Sequence, residues 1–163
     1  MNKQSRSYQH NCIHNNTLQP DSAVFARITD TVWKEKYDLE ILATRKLSVN
    51  KYMIVSVPHM VYEIQRLDVV IVDPKTDAII RVAKRDKNTS VRIVFLFDTK
   101  QDDKTKVLQK LISLGYAVDP YGDVMLAADL DKENSRESVS LHMEELLLDG
   151  AIKEWEYVIT AKE

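Results

Sequence analysis

The sequence predicts an α+β fold in two parts, a small curled antiparallel sheet or half-barrel followed by a βαββαβ unit. Three observations predict it. Short apolar or alternating runs separated by tight turns fill residues 23–86. Two stretches of helical periodicity, each closed by a glycine, separate four strand-like runs over residues 91–160. The chain of 163 residues, 44% hydrophobic and 29% charged, has the composition of a globular protein and the length to bury a core.

Residues 1–20 are polar, rich in Asn and Gln and nearly free of apolar side chains, which predicts a disordered tail. The run from Ala23 to Ile28 fits either element: Val24, Ile28 and Val32 have helical spacing, while Val24, Ala26 and Ile28 alternate. Residues 37–46 alternate Leu39, Ile41 and Ala43 with Glu40, Leu42 and Thr44, as a strand does. A turn at residues 48–51 leads into a returning strand, residues 52–57, which Pro58 ends because it has no N–H for a ladder. Residues 59–67 read as an irregular connection or one helical turn. Strands at 68–72 and 78–84 flank a turn at 73–77, completing a β-rich part over residues 23–86.

The second part is predicted over residues 91–160. Its first strand, Val91 to Phe97, is almost continuously apolar, as in a strand covered on both faces, so Phe95 and Phe97 read as core. A helix follows, with Val107, Leu108, Leu111 and Ile112 on one face and Lys104, Lys106, Gln109 and Lys110 opposite. Gly115 ends it. Residues 116–119 and 124–129 read as a hairpin turning at Pro120, Tyr121, Gly122 and Asp123. Asn134 and Glu137 form the capping-box spacing of a second helix, whose apolar stripe is Val139, Met143, Leu146 and Leu147 and whose end is Gly150. In the last strand Trp155, Tyr157 and Ile159 alternate with Glu154, Glu156 and Thr160. This is the element order of a split βαβ, or ferredoxin-like, unit. No flexible linker separates the two parts, which are expected to pack together.

Three segments carry a family resemblance: residues 39–43 (LEILA), residues 57–70 beginning Val57-Pro58-His59, and residues 88–93 (NTSVRI). With Leu114-Gly115-Tyr116 and Trp155-Glu156-Tyr157 they resemble the bacterial family catalogued as domain of unknown function 4265, over about residues 24–157. Where that family tends to carry an aromatic pair after the proline, this chain has His59-Met60. The resemblance implies a strand ahead of Leu39, hence a strand at Val24, and it implies no activity.

The residue types exclude more functions than they suggest. There is no Gly-rich phosphate loop, dinucleotide fingerprint or nucleophile elbow, so neither catalytic residues nor a cofactor is expected. His10, Cys12 and His14 are too few and too loosely placed for a tetrahedral metal site, and Asp129 with Asp131 read as a solvated loop after a strand. His142 reads as a boundary residue of the second helix. A single cysteine fits a reducing compartment, no apolar run could span a bilayer, and no apolar signal segment opens the chain; a cytoplasmic protein is expected. A net charge of −2, and phenylalanines lacking the flanking basic signature, argue against nucleic acid.

Charge is unevenly distributed. Residues 75–112 hold ten Lys and Arg against five Asp, and residues 131–163 hold nine Asp and Glu against four Lys and Arg. Such runs usually mark solvated faces. As a surface, the acidic part suits a basic protein partner, with Glu144, Glu145, Asp149 and an exposed Tyr121 as contacts. The expectation is a non-enzymatic immunity or antitoxin protein that neutralises a cognate toxin by direct contact. The alternative is a regulatory module that binds a small anionic ligand between its two parts through Arg92, Lys84 and His59.

Overall fold

The computed structural model describes residues 7–9, 18–130 and 136–158. They form a mixed α+β architecture with two sheets, divided into two compact units that meet in sequence at Asp86 and Lys87.

The first unit contains β1 (Ser7–Gln9), β2 (Ser22–Arg27), α1 (Thr31–Lys34), β3 (Leu39–Ser48), β4 (Lys51–Ile54), β5 (Val69–Val72) and β6 (Ile79–Lys84). Strands β2 to β6 pair antiparallel in chain order. The sheet curls until its first and last strands meet: Phe25 bridges Ala78, and the Phe25 N–H donates to the Asp77 carbonyl at 2.9 Å. The ambiguous run at Val24 is therefore a strand. Its alternate residues Val24 and Ala26 enter the core with Leu42, Ile54, Val70 and Val72. Asn50, at φ 57, makes the β3–β4 turn in the left-handed region that Asn tolerates. Within the expected tail, Ser7–Gln9 instead pairs in parallel with Leu39–Ile41 of β3. An edge ladder uses only backbone groups, so the scarcity of apolar side chains did not preclude it. Residues 1–6 and 10–17 of that tail, with His10, Cys12 and His14, lie outside the described residues.

The second unit contains β7 (Thr89–Val94), α2 (Gln101–Ser113), β8 (Ala117–Tyr121), β9 (Met125–Leu130), α3 (Arg136–Leu148) and β10 (Glu154–Tyr157). Its sheet has the order β10-β7-β9-β8, every pair antiparallel. One core joins both helices to that sheet: Val107 and Leu111 of α2, with Val139, Met143 and Leu146 of α3, pack among Val91, Ile93, Val118, Leu126, Ala128 and Leu130. Both helices end as the glycines predict. Gly115 has φ 92, with the Tyr116 N–H donating to the Leu111 carbonyl at 3.1 Å; Gly150 has φ 65, with Ala151 donating to Leu146 at 3.0 Å. Asn134, Ile159 and Thr160 fall outside the described residues.

Three local expectations change. Strand β8 continues through Pro120 to Tyr121, and the reversal falls at Gly122, φ 52. Tyr121 is consequently a buried strand residue. Strand β7 ends at Val94; Phe95 beyond it is buried, while Phe97 stands fully exposed in the following turn. Leu147 is also partly exposed, because the buried stripe of α3 is Val139, Met143 and Leu146. Met143, enclosed by both helices' core, is the position where a truncation costs most cleanly. Met143→Ala is expected to lower stability by about 2–5 kcal/mol, read from the urea midpoint at unchanged slope.

Candidate functional site

Helix α3 is apolar on two sides. Opposite its buried stripe, Leu141 and Leu148 are 62% and 85% exposed. Glu137, Leu141, Glu144, Glu145 and Leu148 follow helical spacing along one solvent face, and Asp149 continues it beyond the last turn. No basic side chain occupies that last turn, so the negative end of the helix dipole adds to the acidic character. Glu144, Glu145 and Asp149 are therefore placed together at the surface, as the sequence suggests. Tyr121 does not join them.

A pocket of about 540 Å³ opens beside the C-terminal end of α3, against the first turns of α2. Leu96, Val107, Leu146 and Ala151 are its apolar lining. Its charged lining is balanced, with Asp98, Asp103 and Asp149 against Lys100, Lys106 and Lys110. Lys106 donates to Asp103 at 2.8 Å, which raises the lysine's pKa and lowers the carboxyl's; Lys110 reaches Glu145 of α3 at 3.1 Å.

The ligand alternative placed Arg92, Lys84 and His59 around one anion. Lys84 is exposed on β6, while His59 is wholly enclosed within the first unit. Arg92 is buried in β7, with its guanidinium 3.6 Å from Glu156, and lines a pocket of about 270 Å³ with Val94, Glu154, Trp155 and Glu156. Neither Lys84 nor His59 lines that pocket. A buried arginine already facing a carboxylate, and a histidine with no solvent access, do not make an open anion grip.

The structure also shows buried acids that sequence reasoning missed. Glu40 is fully enclosed, and its carboxylate accepts the backbone N–H groups of His59, Met60 and Val61 at 2.7, 3.1 and 2.9 Å. The His59 ring nitrogen Nδ1 lies 3.9 Å from the same carboxylate, beyond hydrogen-bonding distance. The arrangement is a backbone clamp, and with His59 fully buried it offers no substrate a path to the imidazole. Asp68 accepts the N–H groups of Gln65 and Asp86, at 3.0 and 2.9 Å, and pairs with Arg85 at 2.9 Å. Burial pushes its carboxyl above the ordinary value of 3.8, against the pull of those donors. Asp129 is no solvated loop residue: it is buried in β9 and accepts from Asn88 and from the Ser90 hydroxyl, the latter at 2.5 Å. In α3 His142 meets the buried Tyr116 hydroxyl at 3.0 Å, the boundary role expected of it. Among the described residues no cluster of His, Cys, Asp and Glu could hold a metal ion.

Comparison with known proteins gives two matches. The model of the family described as Domain of unknown function (DUF4265) matches residues 40–154. No curated protein matches. A solved structure described as a novel crystal structure of a hypothetical protein from Neisseria gonorrhoeae is similar at 13% identity and a TM-score of 0.66, covering 91% of this chain and 100% of that one. The likeness concerns the fold alone.

Two expected outcomes test the buried acids. Glu40→Gln sets an amide N–H₂ against three N–H donors that had shared a carboxylate, and should cost about 2–4 kcal/mol in a denaturant titration. For Asp68 the sign follows from its raised pKa: the native state keeps this proton to higher pH than the unfolded chain does. Its contribution favours folding below pH 3.8 and is lost as pH rises through the folded pKa. Wild type should therefore lose stability relative to Asp68→Asn over that interval. A relative gain would show that the Arg85 pair outweighs burial.

Proposed function

We propose that this chain, which belongs to the Domain of unknown function (DUF4265) family, is a non-enzymatic cytoplasmic binding protein that engages a basic protein partner through the solvent face of α3. The observation that carries the reading is the pair of exposed leucines, Leu141 and Leu148, set among Glu137, Glu144 and Glu145 on one helix face. Exposed apolar side chains give a contact its desolvated centre, and a ring of like charge selects a partner of opposite sign and speeds its approach. Neutralisation of a toxin with a basic catalytic cleft needs nothing beyond such a contact, so we assign the chain to the immunity or antitoxin class. The strand order β10-β7-β9-β8 supports reading the second unit as a ferredoxin-like scaffold that holds α3 outward.

No helix among the described residues is long and apolar enough to cross a membrane. The test is affinity capture from the native host at physiological salt, with wild type beside the Glu144→Lys, Glu145→Lys double variant. Wild type should retain one stoichiometric basic protein that is toxic when expressed alone and harmless when co-expressed. The double variant should bind it about tenfold or more weakly and with a flatter salt dependence. Equal retention by both proteins would dismiss the acidic face. A partner without toxicity would keep the contact and remove the immunity assignment.

A further inference from the structure

Among the described residues of the second unit, the most exposed large apolar side chain stands next to the balanced pocket. Phe97 leaves its whole ring in solvent. Its neighbour Leu96 lines the pocket, and Val124, half exposed, is held close by because the Phe95 N–H donates to the Val124 carbonyl at 2.9 Å. A knob and a hole thus lie side by side on one surface. We propose that the chain forms a two-fold dimer in which Phe97 of each copy seats in the pocket of the other.

Three features support this occupant over others. Leu96 lines the pocket and Phe97 does not, so the fully exposed ring of Phe97 leaves its own copy's pocket open and can meet a second one. The pocket's volume, about 540 Å³, accommodates a phenylalanine side chain against Leu96, Val107, Leu146 and Ala151. Charge decides the kind of partner. A two-fold axis sets a surface against its own copy, so a lining of one sign would repel itself, whereas a lining of both signs can pair across the axis: Lys106 and Lys110 are engaged by Asp103 and Glu145 of their own copy, and Lys100 can meet Asp98 or Asp149 of the other. Asp98 and Lys100 follow Phe97 in the chain and move with it, toward charges of opposite sign in the facing pocket. The same balance gives a small anion or cation no net attraction.

Sedimentation equilibrium of the full chain over a concentration series, with wild type beside Phe97→Ser, tests the proposal. Wild type should sediment as a concentration-dependent dimer, and the variant's dissociation constant should rise about tenfold or more. Because the ring is wholly exposed within one copy, circular dichroism of the variant should be unchanged, which separates lost contact from lost fold. Asp149→Lys, an exposed change at the pocket, should weaken the dimer as well. A wild-type monomer at every concentration overturns the proposal, and so does a dimer that Phe97→Ser leaves intact. Phe97→Ser alters no residue of the acidic α3 face, so with that variant the capture experiment stands independently.

Discussion

The first unit depends on one fully buried carboxylate, that of Glu40. The chain between β4 and β5 runs through the interior from Val55 to Asp68 without regular structure, and buried irregular backbone needs partners for its N–H groups. Glu40 supplies them to three successive residues, and Asp68 supplies them at the far end. Charge-assisted bonds of this kind are stronger than neutral ones, which offsets the cost of taking a carboxylate out of water. The loop's path is thereby tied to the middle of the curled sheet through β3.

The sequence is most legible where periodicity and punctuation agree. Both long helices follow their apolar stripes, and Gly115 and Gly150 take the left-handed positions that end them. The alternation of β3 is also as read, but its more deeply enclosed set is Glu40, Leu42 and Thr44. Nothing local signals that inversion, because the partners of Glu40 are backbone amides about twenty residues away and carry no side-chain signature. The reading of Asp129 as a loop residue fails because its partners, the Asn88 amide and the Ser90 hydroxyl, lie about forty residues earlier in the chain, and Asp68 is held by Arg85 and Asp86 from beyond the next hairpin. Tyr121 and Phe97 exchanged roles through strand ends shifted by two or three residues, the least reliable feature of any such reading.

Charge counting was informative in part. The basic and acidic segments are real in the sequence, but the fold interleaves them: Lys110 of α2 reaches Glu145 of α3, and the aspartates and lysines around the pocket balance. What survives as one-signed surface is narrower, the outer face of α3. Exposed leucines there could not be inferred from composition, since Leu141, Leu147 and Leu148 look as suited to the core as Leu146 does.

Pro120 has a further consequence. Among the described residues β8 and β10 are the two edges of the second sheet, and β8 carries a residue with no N–H to offer. A strand added along β8 would meet a gap in its ladder, while one added along β10 would not. Sheet-to-sheet pairing of two copies through β10 would then leave only β8 edges outward. Growth of this sheet by strand addition would then be disfavoured beyond the pair.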